Sequence, residues 1–176
     1  MRNSSARKSL AALTLLSVFG LVIAGCSSPG TKATGTEAKI GETVNLDSLK
    51  YTVDKIGTTM EVGVPGNILK VKEGKMVVVE LTVENASQKA MAFDGEMAKV
   101  YDSENTLYEL NLEAAAAACN AAGDTYKNVW FGSLEPGEKA KTKAIFEIPE
   151  GVKGLKVELR SALIGSEKTA LVSLGI

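Results

Sequence analysis

The residues able to do chemistry are few. The chain contains no histidine, which removes a Ser-His-Asp triad, a Cys-His dyad, an H-E-x-x-H zinc site and any switch built on imidazole. Its only thiols are Cys26 and Cys119, too few to chelate zinc without imidazole. Carboxylates, lysines, serines and tyrosines remain. A carboxylate pair that hydrolyses glycosides must face across a cleft lined for sugar, and one Trp, four Tyr and four Phe supply little lining. No Ser-Lys spacing singles out a nucleophile with its base. Asp94, Glu96, Asp102 and Glu104 cluster around one segment, and hard oxygen ligands suit calcium. None fits a D-x-[DN]-x-[DN]-G loop, however, and Asp102 and Glu104 fill an ordinary turn, so the reading is a solvated hairpin end. The expectation is a protein that is not an enzyme and holds no metal or cofactor. Trp130 and Phe131 are the residues best suited to contact a ligand or partner. Adjacent aromatics in a strand point to opposite faces, so one fills the core and the other is exposed or covered. The outward ring is either roofed by a nearby helix or free as a stacking platform or hot spot.

Cys26 has a different chemistry. Arg2, Arg7 and Lys8 precede an apolar run from Leu10 through Ala24. That run is shorter than the ~20 residues that span a bilayer comfortably, and small residues end it, which reads as a secretory signal peptide over residues 1–25. Ile23-Ala24-Gly25-Cys26 resembles the lipobox of bacterial lipoproteins. The resemblance implies a diacylglycerol thioether on Cys26 and cleavage between Gly25 and Cys26, placing the mature chain on the extracytoplasmic side of a bacterial membrane. The alternative is an uncleaved anchor helix with an incidental cysteine. With Cys26 lipidated, Cys119 has no intrachain partner and no disulfide framework exists.

Loss of the leader removes three cations and no carboxylate, leaving an acidic chain whose only arginine is Arg160. Nucleic-acid binders need clustered Lys and Arg, so nucleic acid is excluded as a partner. Ser27 to Thr36 is small, polar and turn-forming. This composition gives a flexible tether within residues 26–38, with the folded domain over 39–176.

The elements that must position these residues have a period of two. Val77, Val79, Leu81 and Val83 alternate with Glu80, Thr82 and Glu84. Leu49, Tyr51 and Val53 alternate with Lys50, Thr52 and Asp54. Ala144, Phe146 and Ile148 alternate with Lys143 and Glu147, and Leu155, Val157 and Leu159 with Lys156, Glu158 and Arg160. Such strands bury one face and wet the other, which predicts antiparallel sheets. Turns at 102–105, 135–138 and 149–151 separate them, and seven or eight strands at this spacing predict a sandwich. Leu112–Ala122 departs from the pattern. Seven alanines behind Asn111 as N-cap, with Glu113 in the first turn and Gly123 as stop, predict a helix that packs on the sheet or bridges its ends. Cys119 then lies on its packed face with Ala115 and Ala122, as a buried thiol rather than a reactive one.

Gly41-Glu42-Thr43-Val44, Leu49–Val53 and Met76–Ala86, followed by Val100–Asn105 and Leu134-Glu135-Pro136-Gly137-Glu138 through Pro149, resemble the DUF4352 family. The resemblance covers residues 39–160 and implies an immunoglobulin-like (telokin-like) β-sandwich with no catalytic residues to carry over. Two segments depart from that family's pattern: the alanine-rich helix, and the insertion Met60–Asn67. The fold expected is therefore an immunoglobulin-like antiparallel β-sandwich with one short alanine-rich helix. The function expected is a lipid-anchored extracytoplasmic module that binds a protein or small ligand of the envelope. A structural envelope lipoprotein without ligand, serving as spacer or assembly factor, is the alternative, and a hydrolase the remote one.

Overall fold

A computed structural model describes residues 35–161 and 168–176. The leader 1–25, Cys26 and the tether as far as Thr34 lie outside the described residues. The elements run β1 (Thr36–Ala38), β2 (Thr43–Leu46), β3 (Leu49–Thr59), β4 (Glu61–Val64), β5 (Asn67–Lys70), β6 (Lys75–Asn85), β7 (Met91–Ala92), β8 (Ala98–Tyr101), β9 (Leu107–Glu109), α1 (Leu112–Ala121), β10 (Ser133–Leu134), β11 (Lys139–Ile148), β12 (Lys156–Arg160) and β13 (Thr169–Ser173). Short 3-10 turns occupy Gly95–Met97, Gly123–Thr125 and Val129–Phe131.

One layer is the sheet β11-β6-β3-β2, the other the sheet β1-β13-β12-β8-β9, and β4-β5 and β7-β10 form two small ribbons. This is the expected β-sandwich, with one α-helix among the described residues. Every pairing is antiparallel except that of β1, which runs parallel to β13. Among the described residues, the first strand pairing is that of Thr36.

The alternating residues meet between the layers. Val77, Val79, Leu81 and Val83 of β6 face Val100, Val157, Leu159 and Val172 of the other sheet within one core. Tyr51 crosses that core, its hydroxyl donating to the Arg160 carbonyl at 2.9 Å. A bulge between Val53 and Lys55 leaves Asp54 as the extra residue, so Ile56 rather than Lys55 continues on the inner face, opposite Val79.

The outward face of β6 is not simply wet. Thr82 was expected in solvent but is only 9% exposed, and its hydroxyl donates to Asp54 Oδ2 at 2.6 Å. Buried Met76 and Ile145 and half-buried Val78 also sit on this face, by their register with one another. Helix α1 runs across it. Asn111 at its start donates to Glu147 Oε1 (2.7 Å), and Tyr126 beyond its end donates to Glu80 Oε2 (2.9 Å); Glu147 and Glu80 both project from this outward face. The helix packs on β11 and also on the β4–β5 hairpin, whose first strand and turn lie within the segment Met60–Asn67. The alanine-rich helix and the segment expected to be an insertion are thus packed on each other.

Asn111 caps α1 by accepting from the Ala114 amide at 2.8 Å. Ala114, Ala115, Ala117, Ala118 and Cys119 are buried, so the helix is part of the core, a larger role than bracing the sheet. The chain on either side of it covers the free edge of β11. The amide of Asn111 donates to Ile145 O, the amide of Lys127 to Lys141 O, and the indole of Trp130 to Lys143 O, each at 2.8 Å.

Candidate functional site

Trp130 and Phe131 lie in a 3-10 turn, not in the strand expected for them. Asn128 is extended and its side chain accepts from the Trp130 amide at 3.3 Å, while the Gly132 amide closes the turn on Val129 O at 3.0 Å. At three residues per turn, successive side chains diverge by about 120°. The two rings therefore still part company as a strand would have made them do. Trp130 is 2% exposed, its indole bonded to Lys143 O and its ring edge-on to Phe93 with centroids 6.5 Å apart. Phe131 is 65% exposed. Helix α1 does not roof it, contrary to one of the two expectations, because the helix is committed to the outward face of β11 and to the hairpin.

Phe131 sits on a stiff frame. The Phe93 amide donates to Gly132 O at 3.1 Å, and β7 and β10 pair Ala92 with Ser133 and Met91 with Leu134. Met91 and Leu134 are buried while Ala92 is exposed and Ser133 half-buried, so the ribbon turns one side to the core and the other to solvent. At the β7 end this ribbon adjoins a groove of about 500 Å³ lined by Ser48 and Ser87–Ala92. Fully buried Asn85 builds that groove: its amide donates to Lys89 O (2.8 Å) and Leu134 O (2.9 Å), and its oxygen accepts from the Ser87 amide (2.9 Å). Sequence reasoning missed this role. The available signal was Asn85-Ala86-Ser87 directly after a strand, where an Asx turn is favoured.

The acidic residues weighed for calcium are engaged in turn-making. Asp94 caps the 3-10 turn at Gly95–Met97 through the Glu96 amide (2.9 Å), and Glu96 pairs with Lys99 at 2.5 Å. Asp102 accepts from the amides of Glu104 (2.8 Å) and Thr106 (2.9 Å) and from the Tyr108 hydroxyl (3.0 Å). Partial burial pushes the Asp102 carboxyl up, but the bonds from Thr106, Glu104 and Tyr108 outweigh it and hold the group below the usual carboxylate range. Among the described residues, no group of three or more His, Cys, Asp or Glu could hold a metal ion.

Cys119 is 1% exposed with Sγ 3.8 Å from Thr142 Oγ1, beside buried Ala115; Ala122 at the helix end is only half-buried. Near it, the Lys143 ammonium lies 4.6 Å from the Tyr126 ring centroid. Burial, then the hydrogen bond to Glu80, pushes the Tyr126 phenol up to about 12. Every buried side-chain nitrogen and oxygen among the described residues has a hydrogen-bond partner. The site offers an exposed aromatic on a rigid ribbon and an adjoining groove, an arrangement suited to contact.

Comparison with known proteins gives the same frame. The family model DUF4352, a domain of unknown function, matches residues 38–170. No curated protein matches the sequence. Among solved structures, a conserved hypothetical protein from Bacillus anthracis superposes with a TM-score of 0.57 at 18% identity, over 76% of this chain and 93% of that one. An uncharacterised β-sandwich protein from Clostridium difficile gives 0.52 at 13%, over 81% and 96%. The secreted protein MPT63 from Mycobacterium tuberculosis gives 0.50 at 13%, over 81% and 99%. At these identities the likeness concerns the fold.

Proposed function

Because the chain belongs to the DUF4352 family, whose description assigns no function, we propose from its own residues that it is an interaction module of the bacterial envelope, lipid-anchored through Cys26, with Phe131 at its contact surface. The observation that carries the contact reading is the exposure of a large aromatic whose backbone is pinned on both sides, by Asn128 and by the Phe93–Gly132 bond. An exposed aromatic on a fixed backbone has only two side-chain torsions to lose on binding while offering a large contact area, which suits aromatics to interface hot spots. The envelope location is supported by the leader with Ile23-Ala24-Gly25-Cys26, and the secreted M. tuberculosis relative in fold agrees with it.

Two experiments test the two halves. A photo-crosslinking amino acid at position 131, in intact cells, should give a discrete adduct that the same probe at exposed Glu150 does not. Equal labelling from both positions would leave the spacer as the better reading. For the anchor, Cys26→Ala should abolish lipid attachment and processing at that site, while the wild type stays with membranes through salt washes, because two acyl chains bury many CH₂ groups at about 0.8 kcal/mol each. A soluble, unlipidated mature wild type by mass spectrometry would overturn it.

A further inference from the structure

Strand β1 is the first strand among the described residues, and it is bound differently from the other strands described. It pairs through three residues only, Thr36 with Ala170, Glu37 with Leu171 and Ala38 with Val172, in the parallel sense. Thr36 and Glu37 are exposed, leaving Ala38 as its single buried side chain. Among the described residues its ion pair is Glu37 with Lys156 at 3.2 Å, on the surface, where such pairs contribute little. By contrast β6 pairs with β11 over ten consecutive residues and with β3 over nearly its whole length.

The segment that follows β1 is pinned separately. The Gly41 amide donates to Val53 O (2.8 Å), the Glu42 amide to Lys39 O (3.0 Å), and the Lys39 amide to Glu42 Oε2 (3.1 Å). Gly41 has φ +83°, a left-handed backbone that glycine adopts freely. This turn fastens the chain to β3 without help from β1. On the other side Gly35 lies so close to Thr169 that a Cβ there would collide with its backbone, so β1 begins in a tight seat against β13.

We propose that β1 is a releasable clasp, opening from β13 as a unit while the sandwich stays folded, with the turn at Lys39–Glu42 as its stop. Closed, it fixes the end of the sandwich from which the chain leaves toward Cys26. Open, it frees the three residues Thr36–Ala38, roughly 10 Å of extended chain, and moves the attachment to the turn at Lys39–Glu42, so the domain can swivel. The consequence for orientation at a membrane rests on the lipidation of Cys26; the clasp itself does not.

Hydrogen exchange on the full chain tests it. The amides of Thr36–Ala38 should exchange at least a hundredfold faster than those of β6 and β11, with the Gly41 amide staying protected. Ala38→Gly should speed β1 exchange a further tenfold and leave β6 and β11 unchanged. Protection of β1 equal to that of β6 in the wild type would overturn the proposal, as would loss of Gly41 protection together with β1. If Ala38→Gly accelerates all strands alike, β1 belongs to the global unit and the clasp falls. Should that variant fail to fold, the wild-type rates alone decide. None of these outcomes depends on lipid attachment, which is read by mass spectrometry.

Discussion

The ladders of β3, β6 and β11 and the annex of α1 with the β4–β5 hairpin are held by different means. In the ladders, large side chains such as Leu81, Phe146 and Tyr51 are fully buried between two sheets, and apolar area does most of the stabilising. In the annex, alanines bring backbones close, and the joins are specific bonds: the Asn111 cap, the Asn111–Glu147 contact and the Tyr126–Glu80 bond. Met60, Val64 and Ile68 of the hairpin region remain exposed. A domain can therefore add a closely fitting element with small residues, provided polar contacts fix its position.

Substitutions can break or sharpen that contrast. Leu81→Ala, in the ladders, should lower stability by roughly 2–5 kcal/mol in urea melts. In the annex the sensitive direction is enlargement: Ala118→Leu should destabilise by about 1–3 kcal/mol through overpacking. It should also alter Trp130 fluorescence, since α1 touches the turn that carries that residue. If Ala118→Leu is neutral and Leu81→Ala is not, the alanines are not closely fitted and the contrast is wrong. Asn111→Ala should lose about 1 kcal/mol, in the range of ordinary N-caps, with faster amide exchange confined to the first turn of α1.

A smaller effect should appear at the turn of Asp102. Its folded pKa is depressed by its hydrogen bonds, so its contribution is present above the unfolded value near ~3.9 and is lost as pH falls through the folded value. Asp102→Asn should then flatten the acid limb of the stability curve below about pH 4. An unchanged limb would mean the bonds from Thr106 and Tyr108 do not discriminate between the two protonation states. Smallest of all, Phe131→Ala should shift stability by no more than ~0.5 kcal/mol, in contrast with its buried neighbour Trp130.

The inward alternation of β6, β11 and β12 was legible because hydrophobic period is local. So were α1, with Asn111 as its cap, and the divergence of Trp130 from Phe131. The outward face was legible only in part. Met76-Val77-Val78-Val79 is an unbroken apolar run, the mark of a strand covered on both sides, yet Thr82 beside it read as solvent-facing. Its hydroxyl is bonded to Asp54 on the neighbouring strand, a contact between residues distant in sequence that a period count does not carry. The short turn at Val129–Phe131 was misread because two large aromatics favour strands, whereas the decisive residue was Asn128 just before them. The groove at Ser87–Ala92 was not foreseen, since its frame depends on Asn85 reaching Leu134, far away in sequence.

The covered margin of β11 has a consequence for life at high density. A ten-residue strand with a bare rim of amides and carbonyls is a template for a neighbour's strand, and crowding would multiply such encounters. Here the carbonyls of Lys141, Lys143 and Ile145 are already taken by Lys127, Trp130 and Asn111. Removing the indole donor, as in Trp130→Phe, would bare Lys143 O while keeping an aromatic in the core. That variant should self-associate into β-rich aggregates sooner than Phe131→Ala at equal concentration, and the same rim would then set an upper limit on how densely the protein could be packed.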